Sequence, residues 1–320
     1  MESTDTRQRE LEVVEVESSS RADDWLSKAA YDETISTYSS QRGEDRILQK
    51  LFEVIGTANQ WCVEFGATDG KHMSNTWYWI TQRNWHSVQI EASRDRNLGL
   101  RDRNRWSFEA LQARYADNDR VTCLNEWIDT TGDKRLDALL DKTELPREFD
   151  LLSIDIDSTE YAIWDSLVDY SPRVVVVEHT KTIPLNVSFH SNRGSSLRAL
   201  TELGTLKGYE LVAVNDLNGV FVRKDLFGQL GISDNSPEKL WSGHEQYLTY
   251  LEQNDGSLVL HGPNKLRWVR GVDGTITGEL KSGHWTPVGA GASTVTVDAS
   301  AKQKTYLSGL IRHVWWTLKK

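Results

Sequence analysis

The chain has 320 residues, 38% hydrophobic and 26% charged, a balance typical of soluble globular proteins and long enough for one large domain or two small ones. A formal net charge of -10 excludes an extended nucleic-acid surface, which needs clustered Lys and Arg. No apolar run is long enough to span a bilayer, the polar N-terminus is not a signal peptide, and two cysteines cannot by themselves make a disulfide scaffold or a zinc site.

Residues 1–23 alternate charge with Ser and Thr and read as an acidic, disordered leader. From Tyr38, "YSSQRGEDRILQKLFEVIG" predicts a helix with Ser40 as N-cap, Glu44 and Asp45 in the first turn, and an apolar stripe of Ile47, Leu48, Leu51, Phe52 and Ile55. Trp61–Phe65 predicts a buried strand, "SNTWYWITQRN" from Ser74 a capped helix, and Trp85–Ile90 a second strand ending at Glu91. A charged, mostly helical stretch runs to about Ala116, followed by a strand at Arg120–Leu124 and a helix at Arg135–Lys142.

Phe149–Ile154 predicts a fourth strand, ending in Asp155-Ile156-Asp157, with a helix from near Ser158. Asp157 and Glu160 have capping-box spacing. "RVVVV" at Arg173–Val177 is nearly all β-branched, as a strand covered on both faces should be. A helix over Ser195–Lys207 precedes a hairpin of Tyr209–Val214 and Gly219–Val222 turning at "NDLN". Strands alternating with helices predict a parallel α/β sheet, and the hairpin predicts one antiparallel strand at its edge.

Residues 24–230 then form an α/β domain, and 231–282 a helix and β-hairpin extension turning at Gly262-Pro263-Asn264. Residues 283–320 hold a Gly/Ser/Thr-rich linker or poorly ordered strand and an amphipathic helix. That helix, flanked by Lys302, Lys304, Arg312, Lys319 and Lys320, reads as packing on the protein's own core or on a second subunit ahead of a membrane surface. The thirteen tryptophans, spread from Trp25 to Trp316, read as core and rim packing. Cys62 and Cys123 read as buried free thiols, implying a reducing, cytoplasmic setting.

Ligands of open α/β sheets sit beyond the carboxyl ends of the strands. Glu64, Glu91, Asp155, Asp157 and Glu178 fall at those ends, where carboxylates without a partner would repel one another. Gly66 admits close approach of a ligand to the turn after the first strand. The fingerprint G-x-G-x-x-G is absent, and Glu64 stands where a pyrophosphate would pass, which argues against NAD. Glu91 lies 25 residues after Gly66, where an acidic residue grips ribose hydroxyls. S-adenosylmethionine, a nucleoside bearing an amino acid, satisfies both requirements.

The stretches "SQRGED", "VEFGATDGKHMSNT", "VQIEAS", "FDLLSIDIDSTEYAIW", "VVVVEHTKTIP" and "GYELVAVNDLNGVFVRKDLF", with "DGSLVLHG" and "LRW" downstream, run in order from about Ser39 to Trp268, most of the chain. Together they resemble the FkbM-type S-adenosylmethionine-dependent methyltransferases. The resemblance implies a Rossmann-like, seven-stranded class I methyltransferase sheet. It places Glu64, Gly66, Ala67 and Asp69 in the first cofactor motif and Glu91 at the ribose. Asp155 and Asp157 fall in the acidic segment after the fourth strand. Asn125 and Glu126 follow the third strand, where this fold commonly holds adenine. Asn75 reads either as a cofactor contact or as a helix cap. The chain departs from the family in Ser158, His179 and Lys181, all on the substrate side.

The implied reaction is methylation of a hydroxyl on a sugar, glycolipid or secondary metabolite. It needs alignment of the nucleophile and removal of its proton. Asp155 and Asp157 could act as base or hold a divalent cation, and His179 is the other candidate base. Asp157 as a helix cap and His179 as a satisfied loop histidine are the structural alternatives. Lys181 and His190, in "HTKTIPLNVSFHSNRG", face either substrate or solvent. Tyr161 and Trp164 read as packing. The competing function is a methyltransferase-like binding or scaffold protein without catalysis; a nicotinamide-dependent enzyme lacks its glycine fingerprint.

Overall fold

A computed structural model describes residues 22–93, 107–156, 159–181, 185, 188, 190–191, 194–241, 249–252, 258–263, 275–281 and 284–287. Residues 1–21 of the expected leader, Asp157, Ser158 and the C-terminal helix over 301–320 lie outside the described residues. The chain divides into two compact units, Met1–His179 with His190–Ser195 and Ala199–Ser242, and Thr180–Phe189 with Ser196–Arg198 and Gly243–Lys320.

The first unit is built on a seven-stranded sheet. Its strands β1 (Trp61–Phe65), β2 (His86–Ile90), β3 (Val121–Leu124), β4 (Glu148–Ile154) and β5 (Ser171–Glu178) are parallel. A two-residue ribbon follows, β6 (His190–Ser191) paired with β7 (Gly194–Ser195). The hairpin strands β8 (Tyr209–Val214) and β9 (Asn218–Arg223) complete the sheet in the order β3-β2-β1-β4-β5-β9-β8. β9 is the antiparallel strand, inserted between β5 and β8 one place in from the edge. The β-branched run Val174–Val177 is fully buried, as a central strand covered on both faces requires.

Helices α1 (Trp25–Ala29), α2 (Glu44–Ile55), α3 (Trp77–Gln82), α4 (Phe108–Arg114), α5 (Leu136–Leu140), α6 (Glu160–Ser166) and α7 (Leu197–Leu206) accompany the strands. The α2 stripe Ile47, Leu48, Leu51, Phe52 and Ile55 is buried, each side chain stabilising the fold by roughly 1.5–3 kcal/mol. Phe52 packs edge-on against Trp79 and Trp85, with ring centroids 4.9 and 5.3 Å away. Cys62 and Cys123 are free thiols, Cys62 buried and Cys123 partly so.

Two helix starts differ from the expectation. α2 begins after Gly43 in a left-handed conformation (φ 84°), and Ser40 Oγ reaches forward to accept from Asp45 N at 3.1 Å. Glu44 and Asp45 stand in the first turn as expected, and both are buried clamps. Asp45 Oδ2 accepts from the N–H groups of Tyr38, Ser39 and Ser40, and Glu44 Oε1 accepts from the Asn215 and Asn218 side chains at 2.8 and 2.7 Å. They tie the approach to α2 and the β8–β9 turn to the same point. Likewise α3 starts at Trp77, because Ser74–Thr76 are spent on a buried carboxylate described below.

In the second unit, β10 (Thr249–Glu252), β11 (Leu258–Pro263), β12 (Thr275–Lys281) and β13 (His284–Pro287) form an antiparallel sheet in that order. Gly262 and Pro263, expected in a turn, lie within β11 and pair with Ile276 and Thr275.

Candidate functional site

The carboxyl ends of β1, β2, β3 and β4 are joined by hydrogen bonds. Ala67 N donates to Ile90 O at 3.2 Å, Thr68 N to Glu91 Oε2 at 2.8 Å, and Glu91 N to Leu124 O at 3.2 Å. Ser93 N donates to Asn125 Oδ1 at 2.8 Å, and Asn125 Nδ2 returns a bond to Ser93 Oγ at 2.9 Å. Asp155 N donates to Phe65 O at 3.4 Å. Gly66, Ala67, Glu91, Asn125 and Asp155 are therefore brought together on one edge of the sheet.

Gly66 has a reason within the chain itself. At φ 74° it passes so close to β4 that a Cβ there would overlap the Asp155 carbonyl oxygen. The glycine thus permits the β1 and β4 tips to meet, whatever else approaches the turn.

Glu64 and Asn75 lie beneath this edge in a buried polar layer. Glu64 pairs in register with Gln89 on β2 and Ser153 on β4. At 3% exposure, it accepts from Ser74 Oγ at 2.5 Å, Thr76 Oγ1 at 2.7 Å and Asn75 N at 2.7 Å. Both carboxylate oxygens are engaged in holding the turn before α3. Burial, the largest influence, pushes the Glu64 carboxyl up, and the bonds from Ser74, Thr76 and Asn75 oppose it without cancelling it. Asn75, 2% exposed, donates to Ser153 Oγ at 3.1 Å, while its Oδ1 has no partner among the described residues. An orphaned buried acceptor next to the rim suits a ligand or water that brings a donor.

A raised carboxyl value has a definite pH signature. Its stability contribution is complete below the ordinary carboxyl value of 4.5 and is lost as pH rises through the folded-state value. Glu64→Gln removes that ionisation, and the Ser74 and Thr76 hydroxyls can turn to accept from the amide. Urea denaturation at pH 4 and pH 8 should show wild type losing ground to Glu64→Gln as pH rises. A wild-type advantage that grows toward pH 8 would show the ionised carboxylate to be the stabilising form.

Asp69 is tied to the turn that follows it and to α4. Its Oδ1 accepts from Lys71 N and His72 N at 3.0 and 2.7 Å, and Arg114 of α4 donates to both Asp69 Oδ2 (3.0 Å) and Asp69 O (2.5 Å). Burial pushes its carboxyl up, but the His72 and Lys71 N–H groups and the Arg114 guanidinium outweigh this and hold it below the usual carboxylate range. Arg114 and Asp69 are 45 residues apart, and no spacing rule links them.

His179 lies at the far end of the same edge. It is 4% exposed, with Nε2 3.2 Å from Asn215 O and its ring edge-on to Trp241 at 5.9 Å. The β8–β9 turn encloses it. His190 stacks on Tyr161 at 3.9 Å, and Trp164 is core. Trp127, just past β3, is 63% exposed, a feature that sequence reading passed over. Among the described residues no group of three or more His, Cys, Asp or Glu could hold a metal ion.

Five parallel strands end in a hairpin whose second strand inserts antiparallel beside β5. This is the Rossmann-like, seven-stranded sheet with an antiparallel strand that the sequence led one to expect. No family model matches the chain, and no curated protein matches it. Among solved structures the chain is similar to the methyltransferase PaMTH1 of Podospora anserina, solved with SAH bound (17% identity, 58% of this chain and 80% of that one, TM-score 0.35). It is also similar to a SAM-dependent methyltransferase from Aquifex aeolicus (10% identity, 54% and 87%, TM-score 0.33). A third is M. jannaschii TYW2 in complex with AdoMet (12% identity, 55% and 75%, TM-score 0.30). Among the described residues no helix is long and apolar enough to cross a membrane.

Proposed function

We propose that this chain is an S-adenosylmethionine-dependent methyltransferase of the FkbM type, acting on a hydroxyl of a small-molecule or glycan substrate such as a sugar, glycolipid or secondary metabolite. The observation that supports it most is the gathering of Gly66–Thr68, Glu91, Asn125 and Asp155 on the carboxyl edge of a methyltransferase-ordered sheet. When bound, S-adenosylmethionine supplies an electrophilic methyl group on a sulfonium. In this reading Glu91 holds the ribose, Asn125 lies toward the adenine, and the Gly66–Thr68 turn flanks the amino-acid part. Glu64 supports that turn from below through Ser74–Thr76. Asp155 takes the proton of the acceptor hydroxyl, with Asp157 beside it in sequence. His179 is the weaker base because the β8–β9 turn encloses it. The two free thiols suit a reducing, cytoplasmic setting.

Calorimetric titration with S-adenosylhomocysteine, with NADH as control, tests this. Saturable binding of the former alone is expected, and Glu91→Ala should weaken it at least ~10-fold, about 1.4 kcal/mol. Asp155→Asn should lower turnover more than affinity. Binding of NADH in place of S-adenosylhomocysteine would overturn the reading. Binding without transfer to any hydroxyl acceptor would favour the non-catalytic alternative.

A further inference from the structure

A cleft of ≈ 340 Å³ opens beside the turn after β1, lined by Tyr38, Ser39, Asp69, Lys71, His72 and Arg114. Its walls are fixed by bonds unrelated to any ligand. Tyr38 N and Ser39 N are held by Asp45 Oδ2, Ser39 Oγ donates to Ser74 O at 2.8 Å, and Tyr115 OH donates to Gly70 O at 2.6 Å. The volume falls in the range of small-molecule sites, roughly 300–1,000 Å³.

The charge in the cleft is unevenly matched. Asp69 is neutralised by Arg114 and by two backbone N–H groups. Lys71 makes no ion pair among the described residues; its Nζ rests 4.6 Å over the Trp77 ring, which holds the ammonium at the surface. Arg114 uses Nε and Nη2 on Asp69, leaving Nη1 without a partner among the described residues. Lys71, Arg114 and His72 thus line one cleft, two of them cationic, in a chain whose net charge is -10. That donor set suits a phosphate or carboxylate, which charge-assisted bonds from Lys and Arg recognise. Tyr38, stacked on Tyr78 at 4.5 Å, offers an apolar wall against which the body of such a molecule can lie.

We propose that this cleft binds the anionic group, phosphate or carboxylate, of the molecule that receives the methyl group. The identity of that molecule as a methyl acceptor rests on the function proposed above; the anion site itself does not. An acidic protein repels free anions at long range, so the site must act through short contacts.

The test uses the full chain. Inorganic phosphate, glucose 6-phosphate and glucuronate are titrated into wild type, Lys71→Ala and Lys71→Glu, with S-adenosylhomocysteine titrated into the same three proteins. Saturable binding of at least one anion is expected, weakened ~10-fold or more in Lys71→Ala and lost in Lys71→Glu. S-adenosylhomocysteine affinity should stay within about twofold. Preference for glucose 6-phosphate identifies a phosphorylated acceptor, and preference for glucuronate a carboxylated one. No saturable anion binding, or anion binding indifferent to both Lys71 variants, overturns the proposal. Anion binding lost in the variants while no protein binds S-adenosylhomocysteine would leave the cleft standing and sink the methyltransferase reading alone.

Discussion

Asp150→Ala is expected to cost about 3–5 kcal/mol of folding stability, the scale for stranding one member of a buried ion pair. Asp150, fully buried near the start of β4, accepts from the N–H groups of Ala58, Asn59 and Gln60 at 2.7–3.0 Å and from Arg173 Nη1 at 2.6 Å. Arg173 in turn donates to Gly56 O and Ile55 O, the carbonyls at the end of α2. One carboxylate and one guanidinium therefore satisfy the backbone where α2 turns into β1. Such pairs can often be exchanged for apolar residues at little cost, but not here, since Leu and Met would leave the 55–60 backbone unpaired. Asp150→Leu with Arg173→Met should thus fail to recover wild-type stability.

Against a total stability of roughly 5–15 kcal/mol, a loss of that size is visible in any denaturation curve. Lys50→Ala, which removes an exposed pair with Glu53, is the control and should change stability by less than ~0.5 kcal/mol. A cost below ~1 kcal/mol for Asp150→Ala would mean that water replaces the carboxylate at the 58–60 turn. Asp150 lies near the start of β4, whose other end leads into Asp155. The folded fraction of the variant should accordingly keep its S-adenosylhomocysteine affinity within about twofold, which separates scaffold from site.

The strands themselves were largely legible because they depend on local pattern, whereas the place of β9, one in from the edge, was not. Val174–Val177 is uniformly β-branched, and the strand-to-helix alternation predicts a parallel sheet with only a few permitted connections. The positions of Glu91 and Asp155 were legible for the same reason, since both follow the last apolar residue of a strand. Glu64 was harder. It comes one residue before the strand ends, still within the paired register beside Gln89 and Ser153, and it accepts from Ser74, Asn75 and Thr76. A sequence shows the carboxylate but not the hydroxyls that surround it. Asp69 with Arg114, and Glu44 with Asn215 and Asn218, are pairings across 45 and more than 170 residues, set by how elements pack. His179 was read as a candidate base or a satisfied loop histidine, and its burial was not legible because the turn that covers it is contributed by a later hairpin.

Gly66→Ala should abolish cofactor binding, lowering S-adenosylhomocysteine affinity by about 100-fold or more. Two costs coincide at this position. The left-handed backbone (φ 74°) is worth roughly 1–2 kcal/mol against any residue with a Cβ. The overlap with the Asp155 carbonyl adds an overpacking cost of roughly 1–3 kcal/mol, relieved only by moving the β1 turn or the β4 tip. Either movement changes the spacing of Gly66, Ala67 and Asp155, and a displacement near 1 Å can cost ~100-fold where groups must be aligned. Gly231→Ala isolates the first cost, because Gly231 has φ 66° with nothing within 4 Å of an added Cβ. It should lose about 1–2 kcal/mol of stability while binding S-adenosylhomocysteine like wild type. If Gly66→Ala behaves like Gly231→Ala in both measurements, β1 and β4 are not held in register by this contact. The ligand must then lie elsewhere than on the edge where Gly66 and Asp155 meet.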